Sequence, residues 1–311
     1  MKVSILIVNW NGVSHLKTCL PSIFEQSFKE YNIILVDNGS SDDSVDFVAR
    51  AYPKVRIIRL KSNLGFVEGN NIGLLKALEK DNPEYVLLLN NDTRIIGQDF
   101  LEKLVEAADH DEKTGIFGCQ IVFPDGRVQH LGSIIQPFRR IYLKGARSSQ
   151  PYEVDSIMGS FFLIRRSVIE KIGLLDLGFA PYLHEETDYC LRAKKAGYLV
   201  KVVPDIKIVH FWSQSMARVP SRFFSLVLCR NSIRLKLLNE PLFSLIPRLL
   251  IILPATLFSK KNSDRSSLWN YRLKADVSNN IMIFLKAWLF NLKNLVEITN
   301  KRYHRTKRLW Y

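Results

Sequence analysis

The stretch VSILIVNWNG, from Val3 to Gly12, decides the fold that the sequence predicts. An apolar run from Val3 to Val8 ends in turn-forming residues, a pattern typical of a buried strand that leads into a loop. Apolar residues then recur at helical spacing, at positions 16, 19, 20, 23 and 24. The chain therefore opens with a strand, a loop and a helix.

The same alternation continues along the first third of the chain. Further strands are predicted at residues 33–36, 55–60 and 85–89, and further helices at 42–51 and 69–80. These apolar runs are not patterned for one exposed face, which favours a sheet covered on both sides. The sequence therefore predicts an α/β fold with a Rossmann-like mixed, mostly parallel sheet flanked by helices.

The pattern becomes less regular after residue 100. A hairpin is predicted from residues 121–123 and 128–135, a strand at 161–164, a short helix at 168–171 and two strands at 200–203 and 206–209. Helical and apolar segments follow. We expect one α/β domain over residues 1–220 and a helical, membrane-associated region over residues 221–311.

The net charge of +14 lies almost entirely in that second region, where 17 Lys and Arg stand against 4 Asp and Glu. A basic tail is compatible with nucleic-acid binding, which is one alternative function. Here, however, the cations alternate with apolar runs at residues 242–258 and 281–296. That combination favours attachment to an anionic lipid surface. Residues 242–258 would form a helix of about 26 Å, short of the roughly 30 Å hydrocarbon core, so insertion into the membrane and attachment to its surface both stay open.

Cysteine usage and the start of the chain both favour a reducing compartment. The cysteines, at positions 19, 119, 190 and 229, form no C-x-x-C pair, so neither a disulfide framework nor a zinc site is indicated. The first residues lack the core and cleavage site of a signal peptide. We expect a cytoplasmic protein at the inner face of the cell membrane.

Polar clusters follow three of the predicted strands, at residues 9–11, 37–41 and 90–92. Each cluster alone is compatible with an ordinary turn. Their shared position matters more, because ligands of open α/β sheets bind beyond the carboxyl ends of the strands. An acidic triplet, Glu185, Glu186 and Asp188, is also compatible with a solvated helix start.

Eight motifs in order resemble family 2 glycosyltransferases of the GT-A fold, in particular the rhamnosyltransferase-like branch that builds surface polysaccharide. They are VNWNG, VDNGSSDDS, NLGFVEGNNIG, LLLNNDT, MGSFFLIRRS, EETDYCLRAKKAGY, VVPDIKIVH and CRNSIRL. The resemblance runs from Met1 to about Leu238. It implies a transferase that takes a dTDP-, UDP- or GDP-linked sugar and a glycan or lipid-linked acceptor.

The resemblance also implies a donor site. Asp37 matches the residue that accepts hydrogen bonds from the base, and Gly159 would give sugar and acceptor close access to the backbone. The other residues implied to bind the nucleotide sugar are Val8, Asn9, Asn63, Gly65, Asn71, Asn90 and Asn91. Trp212 and Arg230 would contact the sugar, the acceptor or the diphosphate. Core packing of Trp212 and a structural role for Arg230 are the alternatives.

A divalent metal, Mn²⁺ or Mg²⁺, is implied at Asp92 and His210, where it would bridge the donor phosphates. Many relatives carry Asp where this chain has Asn90, and the missing charge should weaken metal binding. Glu186 matches the general base that removes the proton of the acceptor hydroxyl. Glu185 and Asp188 would support its pKa or its orientation.

The resemblance leaves rival functions to be weighed. The Q-x-x-R-W element of processive relatives is absent, which favours one sugar per encounter. A nucleotidyltransferase or a dinucleotide-binding dehydrogenase would need a basic or G-x-G-x-x-G loop after the first strand, and NWNGVSH is neither. A catalytically inactive sugar-binding scaffold remains an alternative, because Asn90 and Glu186 depart from the common pattern.

Overall fold

The computed structural model describes residues 1–136, 139–211, 220–240 and 277–304. The described residues form two compact units, one of residues 1–181 and 185–211 and one of residues 182–184, 220–240 and 277–304. The apolar stretch 242–258 lies outside the described residues, and the boundary at residue 220 stays a prediction.

The first unit begins with the alternation that the sequence predicts. Its first elements are β1 (Val3–Asn9), α1 (Val13–Phe24), β2 (Tyr31–Asp37), α2 (Ser44–Ala51), β3 (Arg56–Arg59), α3 (Gly65–Lys80) and β4 (Tyr85–Leu89). Helix α3 begins at Gly65, earlier than the predicted Gly69. The preceding turn is fixed because the Asn63 side-chain oxygen accepts from the Gly65 amide at 2.9 Å.

Eleven further α-helices and β-strands are described in the first unit. They are β5 (Thr93–Ile96), α4 (Phe100–Asp109), β6 (Thr114–Val122), β7 (Val128–His130), β8 (Ser133–Gln136), β9 (Arg139–Tyr142), β10 (Tyr152–Glu153), β11 (Phe161–Arg165), α5 (Arg166–Ile172), α6 (Glu185–Lys195) and β12 (Leu199–His210). The predicted strand 128–135 is divided at Gly132, whose φ of 90° is left-handed. The two strands predicted around Pro204 are one strand, β12, with a register shift between Val203 and Lys207.

One mixed sheet organises this unit, in the order β10-β12-β6-β11-β4-β1-β2-β3, with β5 paired to β12 and β7 to β6. Strands β1 to β4 run parallel to their neighbours among themselves, and β11 enters antiparallel between β4 and β6. Strands β8 and β9 form a separate antiparallel hairpin. The predicted mixed α/β sheet flanked by helices is confirmed.

The core lies on both faces of this sheet. On one face Ile5 and Ile7 of β1 belong to a buried cluster with Leu16 of α1 and Leu104 of α4. On the other face α3 packs closely against β1. A Cβ added at Gly73 of α3 would be only 3.2 Å from the Leu6 side chain of β1. Burial on both sides explains why the strands are continuously apolar.

The second unit contains three helices among its described residues: α7 (Ser221–Asn239), α8 (Val277–Lys293) and α9 (Leu295–Tyr303). Cys229 and Ile233 of α7 pack against Phe284 and Ala287 of α8. None of the helices in the described ranges combines the length and the apolar character needed to cross a bilayer.

Candidate active site

Asn9 and Asp37 end neighbouring strands, and the parallel register of β1 and β2 places them side by side. The Asn9 amide nitrogen lies 3.4 Å from Oδ1 of Asp37 and 3.2 Å from the Ser40 hydroxyl. The second Asp37 oxygen accepts from the Ser40 amide at 3.0 Å. The turn after β2 therefore fixes the carboxylate while one of its oxygens faces the Asn9 amide.

The loop before α3 closes over the same edge of the sheet. The Asn38 amide donates to Oδ1 of Asn63 and to the Gly65 carbonyl, both at 3.0 Å. Gly65 has a φ of 88°, and a Cβ there would lie 2.7 Å from Cβ of Pro181. Only glycine fits this close approach without strain. Val8 is half-buried and lies beneath α3. A Cβ added at Gly69 of α3 would be 3.0 Å from Cγ1 of Val8.

Asn71 occupies a supporting position. Its Oδ1 accepts from the Leu175 amide at 3.0 Å, and its Nδ2 donates to the Leu175 carbonyl at 2.9 Å. Both polar atoms of this buried side chain are thus engaged by one backbone residue. Asn71 fastens α3 to the segment after α5, and a nucleotide contact of this side chain stays a prediction.

The cluster after β4 joins the strand ends to the rest of the site. Nδ2 of Asn91 donates to Oδ1 of Asn9 at 2.8 Å. The backbone amide of Asn90 donates to the Ser160 carbonyl at 3.0 Å, and Asn90 is half-buried. These contacts connect the end of β1 to the loop that contains Gly159.

Asp92 and His210 form a buried pair. Strand β5 runs antiparallel to β12, and Thr93 opposite His210 brings the preceding Asp92 close to the imidazole. Nε2 of His210 lies 3.3 Å from Oδ1 of Asp92, which has no hydrogen-bond partner among the described residues. Burial acts to raise the pKa of Asp92, but the imidazoles of His210 and His15 outweigh it, so the pKa is lowered.

Gln129 orients His210. Its Oε1 lies 3.0 Å from Nδ1 of His210, in the interior. With the proton on Nδ1, this oxygen would accept it and Nε2 would present its lone pair towards Asp92. A carboxylate oxygen without a partner and an oriented imidazole nitrogen fit a divalent metal ion. Within the described ranges no cluster of three or more His, Cys, Asp and Glu offers a fuller set of metal ligands.

The acidic triplet begins α6, and its members are not equivalent. Glu185 is buried, and burial, then the charge of Glu186, raise the pKa of Glu185 well above its usual range. Asp188 is fully buried and pairs with Arg192 at 3.1 Å. The Glu186 side chain is 18% exposed, and its Oε1 accepts from the Thr187 hydroxyl at 2.9 Å. Glu186 is the member of the triplet with access to solvent, and its ion pair is a 4.0 Å contact with Arg140.

Gly159 lies directly beside Glu186. A Cβ on Gly159 would be 3.6 Å from Cβ of Glu186 and 3.8 Å from the Phe66 ring, so the absent side chain leaves room there. Ser160, the neighbour of Gly159, accepts from the backbone amide of Asn90. Glu186 and the residues at the strand ends are therefore linked through the segment of Gly159 and Ser160.

The sequence also predicts sugar or acceptor contacts for Trp212 and Arg230. Trp212 lies outside the described residues. Arg230 belongs to the second unit, where its Nε donates to Oδ1 of Asn231 at 2.8 Å and its guanidinium lies over the Phe290 ring. Burial, then the charge of Arg234, lower its pKa to about 10. A sugar or acceptor contact by either residue stays a prediction.

The sequence did not identify two residues that the structure places at the site. Gln129 was missed because nothing in a short strand marks a glutamine as the partner of a distant histidine. Arg140, whose Nη2 lies 4.0 Å from Oε1 of Glu186, was missed as well. One signal was present: residues 126–152 contain five Lys and Arg and no Asp or Glu.

Solved structures of other proteins share this fold. GalNAc-T7 with UDP, GalNAc and Mn²⁺ aligns with a TM-score of 0.64 at 15% identity, over 96% of this chain and 57% of that chain. The mannosyltransferase PcManGT from Pyrobaculum calidifontis, in complex with GDP-Man and Mn²⁺, aligns with a TM-score of 0.55 at 14% identity, over 95% and 75%. Likeness at these identities establishes the fold, which is GT-A.

Sequence comparison then gives the family. Residues 4–173 match the model of glycosyl transferase family 2. The N-acetylglucosaminyl-diphospho-decaprenol L-rhamnosyltransferase of Mycobacterium tuberculosis is 26% identical over 242 residues, covering 70% of this chain and 78% of that protein. The dTDP-rhamnosyl transferase RfbF of Shigella flexneri is 29% identical over 271 residues, covering 79% and 87%. The chain belongs to glycosyl transferase family 2 and is similar to these rhamnosyltransferases.

Proposed function

We propose that the protein is an inverting, metal-assisted glycosyltransferase that moves one hexosyl or deoxyhexosyl group from a nucleotide sugar to an acceptor hydroxyl. The observation that carries this proposal is the chain of contacts from Asp37 through Asn9 and Asn91 towards Gly159 and Glu186. The names of the two relatives support a dTDP-linked donor and a lipid-linked acceptor.

Residues at the carboxyl ends of the strands would bind the donor. The Asp37 carboxylate would accept hydrogen bonds from a pyrimidine base, and the Asn63 to Gly65 loop would close over the nucleoside. Asp92 and His210 would hold Mn²⁺ or Mg²⁺, which when bound supplies positive charge at the departing diphosphate. An imidazole ligand suits Mn²⁺ better than Mg²⁺. The Mn²⁺ in the names of two structural neighbours supports that choice.

The transfer needs one proton acceptor on the opposite side of the sugar. Glu186 would take the proton of the acceptor hydroxyl as its oxygen forms a bond to the anomeric carbon. The bond from that carbon to the diphosphate oxygen breaks, and the electron pair leaves with the diphosphate. Burial raises the pKa of Glu185, which favours its protonated form and makes Glu186 the better candidate for the base. Gly159 leaves room for both sugars beside the carboxylate.

A thermal-shift panel of dTDP-, UDP- and GDP-sugars, each with and without Mn²⁺, tests the proposal. A ligand that binds only the folded state raises the melting temperature by mass action. We expect one nucleotide sugar to do so, more strongly with Mn²⁺, and to be hydrolysed slowly. Binding without turnover would support the inactive sugar-binding scaffold instead, and no stabilisation by any nucleotide sugar would contradict both.

We place the enzyme at the cytoplasmic face of the cell membrane. An exposed apolar stripe runs along α8 into α9, and its side chains are 49% exposed or more. The stripe consists of Met282, Leu285, Leu289, Leu292 and Val296, and the exposed Lys286 and Lys293 follow one border of it at heptad spacing. An apolar stripe bordered by lysines suits an anionic lipid surface, and the cytoplasmic leaflet is anionic.

Vesicle sedimentation tests the membrane assignment. The protein should sediment with vesicles rich in phosphatidylglycerol and much less with neutral phosphatidylcholine vesicles. The double variant Leu285→Gln, Leu289→Gln should lose this binding, whereas Leu75→Gln, which changes an exposed leucine of the first unit, should keep it. Equal sedimentation of both variants would contradict the assignment of the stripe.

A further inference from the structure

Arg140 of β9 is an anchored cation at the candidate active site. Its Nε donates to the Ser133 hydroxyl at 2.9 Å, and its Nη2 donates to the Ser156 hydroxyl at 2.6 Å. The guanidinium also lies 5.0 Å from the centre of the Tyr142 ring. Its side chain is 18% exposed, so the group is largely buried but open on one side.

The carboxylate of Glu186 forms an ion pair with Arg140 without hydrogen-bonding to it. Two serine hydroxyls occupy Nε and Nη2, and the carboxylate of Glu186 is 4.0 Å away, too far for a hydrogen bond. Among the described residues Nη1 keeps its two donors for another acceptor. A guanidinium that is fixed on one edge and open on the other can bind the oxygens of an anion at little entropic cost.

The surroundings of Arg140 are electropositive. The segment 126–152, which contains the hairpin of β8 and β9, has five Lys and Arg and no carboxylate. Burial, then the charges of Arg140 and Lys144, lower the pKa of His130 to about 3, so this buried imidazole is neutral. The hairpin therefore brings a cation next to the carboxylate of Glu186, while Asp155 accepts from the Ile135 amide of the same hairpin at 2.7 Å.

We propose that Arg140 binds a phosphate group of the acceptor, so that the acceptor is a sugar joined through phosphate or diphosphate to its carrier. This inference rests on the proposed function: in an inverting transfer, the residue beside the base lies on the acceptor side of the anomeric carbon. A phosphate on the first sugar of a carrier would be close to that sugar's hydroxyls. A neutral polysaccharide end offers hydroxyl oxygens but no anionic partner for this guanidinium.

Two acceptors separate this role from its rivals. One is N-acetylglucosamine joined through diphosphate to an undecyl chain, and the other is the undecyl glycoside of the same sugar without phosphate. The wild type should prefer the diphosphate acceptor. Arg140→Gln should raise the KM for that acceptor about tenfold or more, as expected when a charge-assisted hydrogen bond is lost, with Arg140→Lys in between. The KM for the donor and the rate with the neutral acceptor should change less than about twofold.

The control is Arg147→Gln, which removes an exposed cation from the same basic segment and should leave the preference intact. Melting temperatures of all variants show whether they fold. Binding of undecyl diphosphate to the Glu186→Gln variant, with and without Arg140→Gln, provides a measurement that needs no turnover. We expect the second substitution to weaken that binding about tenfold.

Three results would overturn the inference. Equal loss with both acceptors, together with a shifted pH profile, would mean that Arg140 acts only on Glu186. A raised KM for the donor alone would assign Arg140 to the donor diphosphate, and equal use of both acceptors by the wild type would remove the need for a phosphate site. Failure of the proposed function is distinguishable, because the wild type would then bind and turn over no nucleotide sugar at all.

Discussion

Nε2 of His210 lies 3.3 Å from Oδ1 of Asp92, and both side chains are buried. The opposite nitrogen of the imidazole, Nδ1, lies 3.0 Å from Oε1 of Gln129. The close approach of a carboxylate oxygen to an imidazole nitrogen in the interior is favourable when a proton or a cation lies between them. We therefore propose this pair as half of a metal site, which the phosphates of a bound donor would complete.

Asp92→Asn should weaken Mn²⁺ binding by at least about tenfold, because the amide keeps the shape of the carboxylate and removes its charge. Electron paramagnetic resonance of free Mn²⁺, with a nucleotide diphosphate present, measures this affinity directly. Asp99→Asn is the matched control, since Asp99 is an exposed partner of Lys103 at a helix start. Unchanged Mn²⁺ affinity in Asp92→Asn would exclude this position as a ligand.

Glu185→Gln should make stability less dependent on pH. The raised pKa of Glu185 means that the folded protein holds a proton that the unfolded chain releases near the ordinary glutamate value of about 4.3. Stability therefore falls as pH rises above that value towards the raised pKa. The Glu185→Gln variant has no carboxyl group to ionise at this position, so it does not lose stability in this way. The melting temperature of the variant, relative to that of the wild type, should therefore rise between pH 5 and 8, roughly the range above the ordinary glutamate pKa.

A melting-temperature difference between Glu185→Gln and the wild type that stays constant with pH would show that Glu185 is ionised in the folded protein. Differential scanning calorimetry in buffers of matched ionic strength resolves the two outcomes.

The sequence predicted most of the first unit because its strands are buried on both faces. Tyr85–Leu89 was predicted with its observed bounds, since five consecutive apolar residues bounded by polar ones have few alternatives. Thr93–Ile96 and Arg139–Tyr142 were missed because each is only four residues long and contains arginine. Edge strands of this kind take their conformation from a partner strand rather than from their own composition.

The site was predictable where neighbouring strands end together. Asn9 and Asp37 are the last residues of two parallel strands, and Asn91 follows the end of a third. Their side chains lie close together because parallel strands end at the same edge of the sheet. The meeting of Asp92 with His210 depends on the antiparallel pairing of β5 and β12, which local sequence does not reveal. Likewise, the acidic triplet could not be divided into buried Glu185, ion-paired Asp188 and accessible Glu186 before the packing of α6 was known.

Gly65→Ala should destabilise the protein by about 1–3 kcal/mol, because a left-handed φ and the contact with Pro181 both oppose a methyl group. Donor affinity should fall as well, since the loop over the nucleoside would have to move. Gly145→Ala is the control: nothing lies within 4 Å of its added Cβ, and its φ is not positive. Urea denaturation of both variants measures the difference, and equal stability would contradict the close packing at Gly65.

Asp188→Asn should cost about 3–5 kcal/mol, because it leaves the buried Arg192 guanidinium without its counter-ion. Arg192 also donates to the carbonyls of Ile172 and Leu174, so the loss would loosen the end of α5 together with α6. Glu79→Gln removes a carboxylate from an exposed pair with Lys76 and should leave the melting temperature unchanged. Similar melting temperatures for both variants would show that the buried pair contributes little.

The most direct test of the account is the Glu186→Gln variant, with donor binding and transfer measured on the same sample. The substitution removes the proton acceptor and keeps the size of the side chain. We expect donor-induced stabilisation equal to that of the wild type and a transfer rate lower by about 10²–10⁴-fold, the usual contribution of a general base. Transfer at the wild-type rate, or loss of donor binding together with activity, would contradict the role of Glu186.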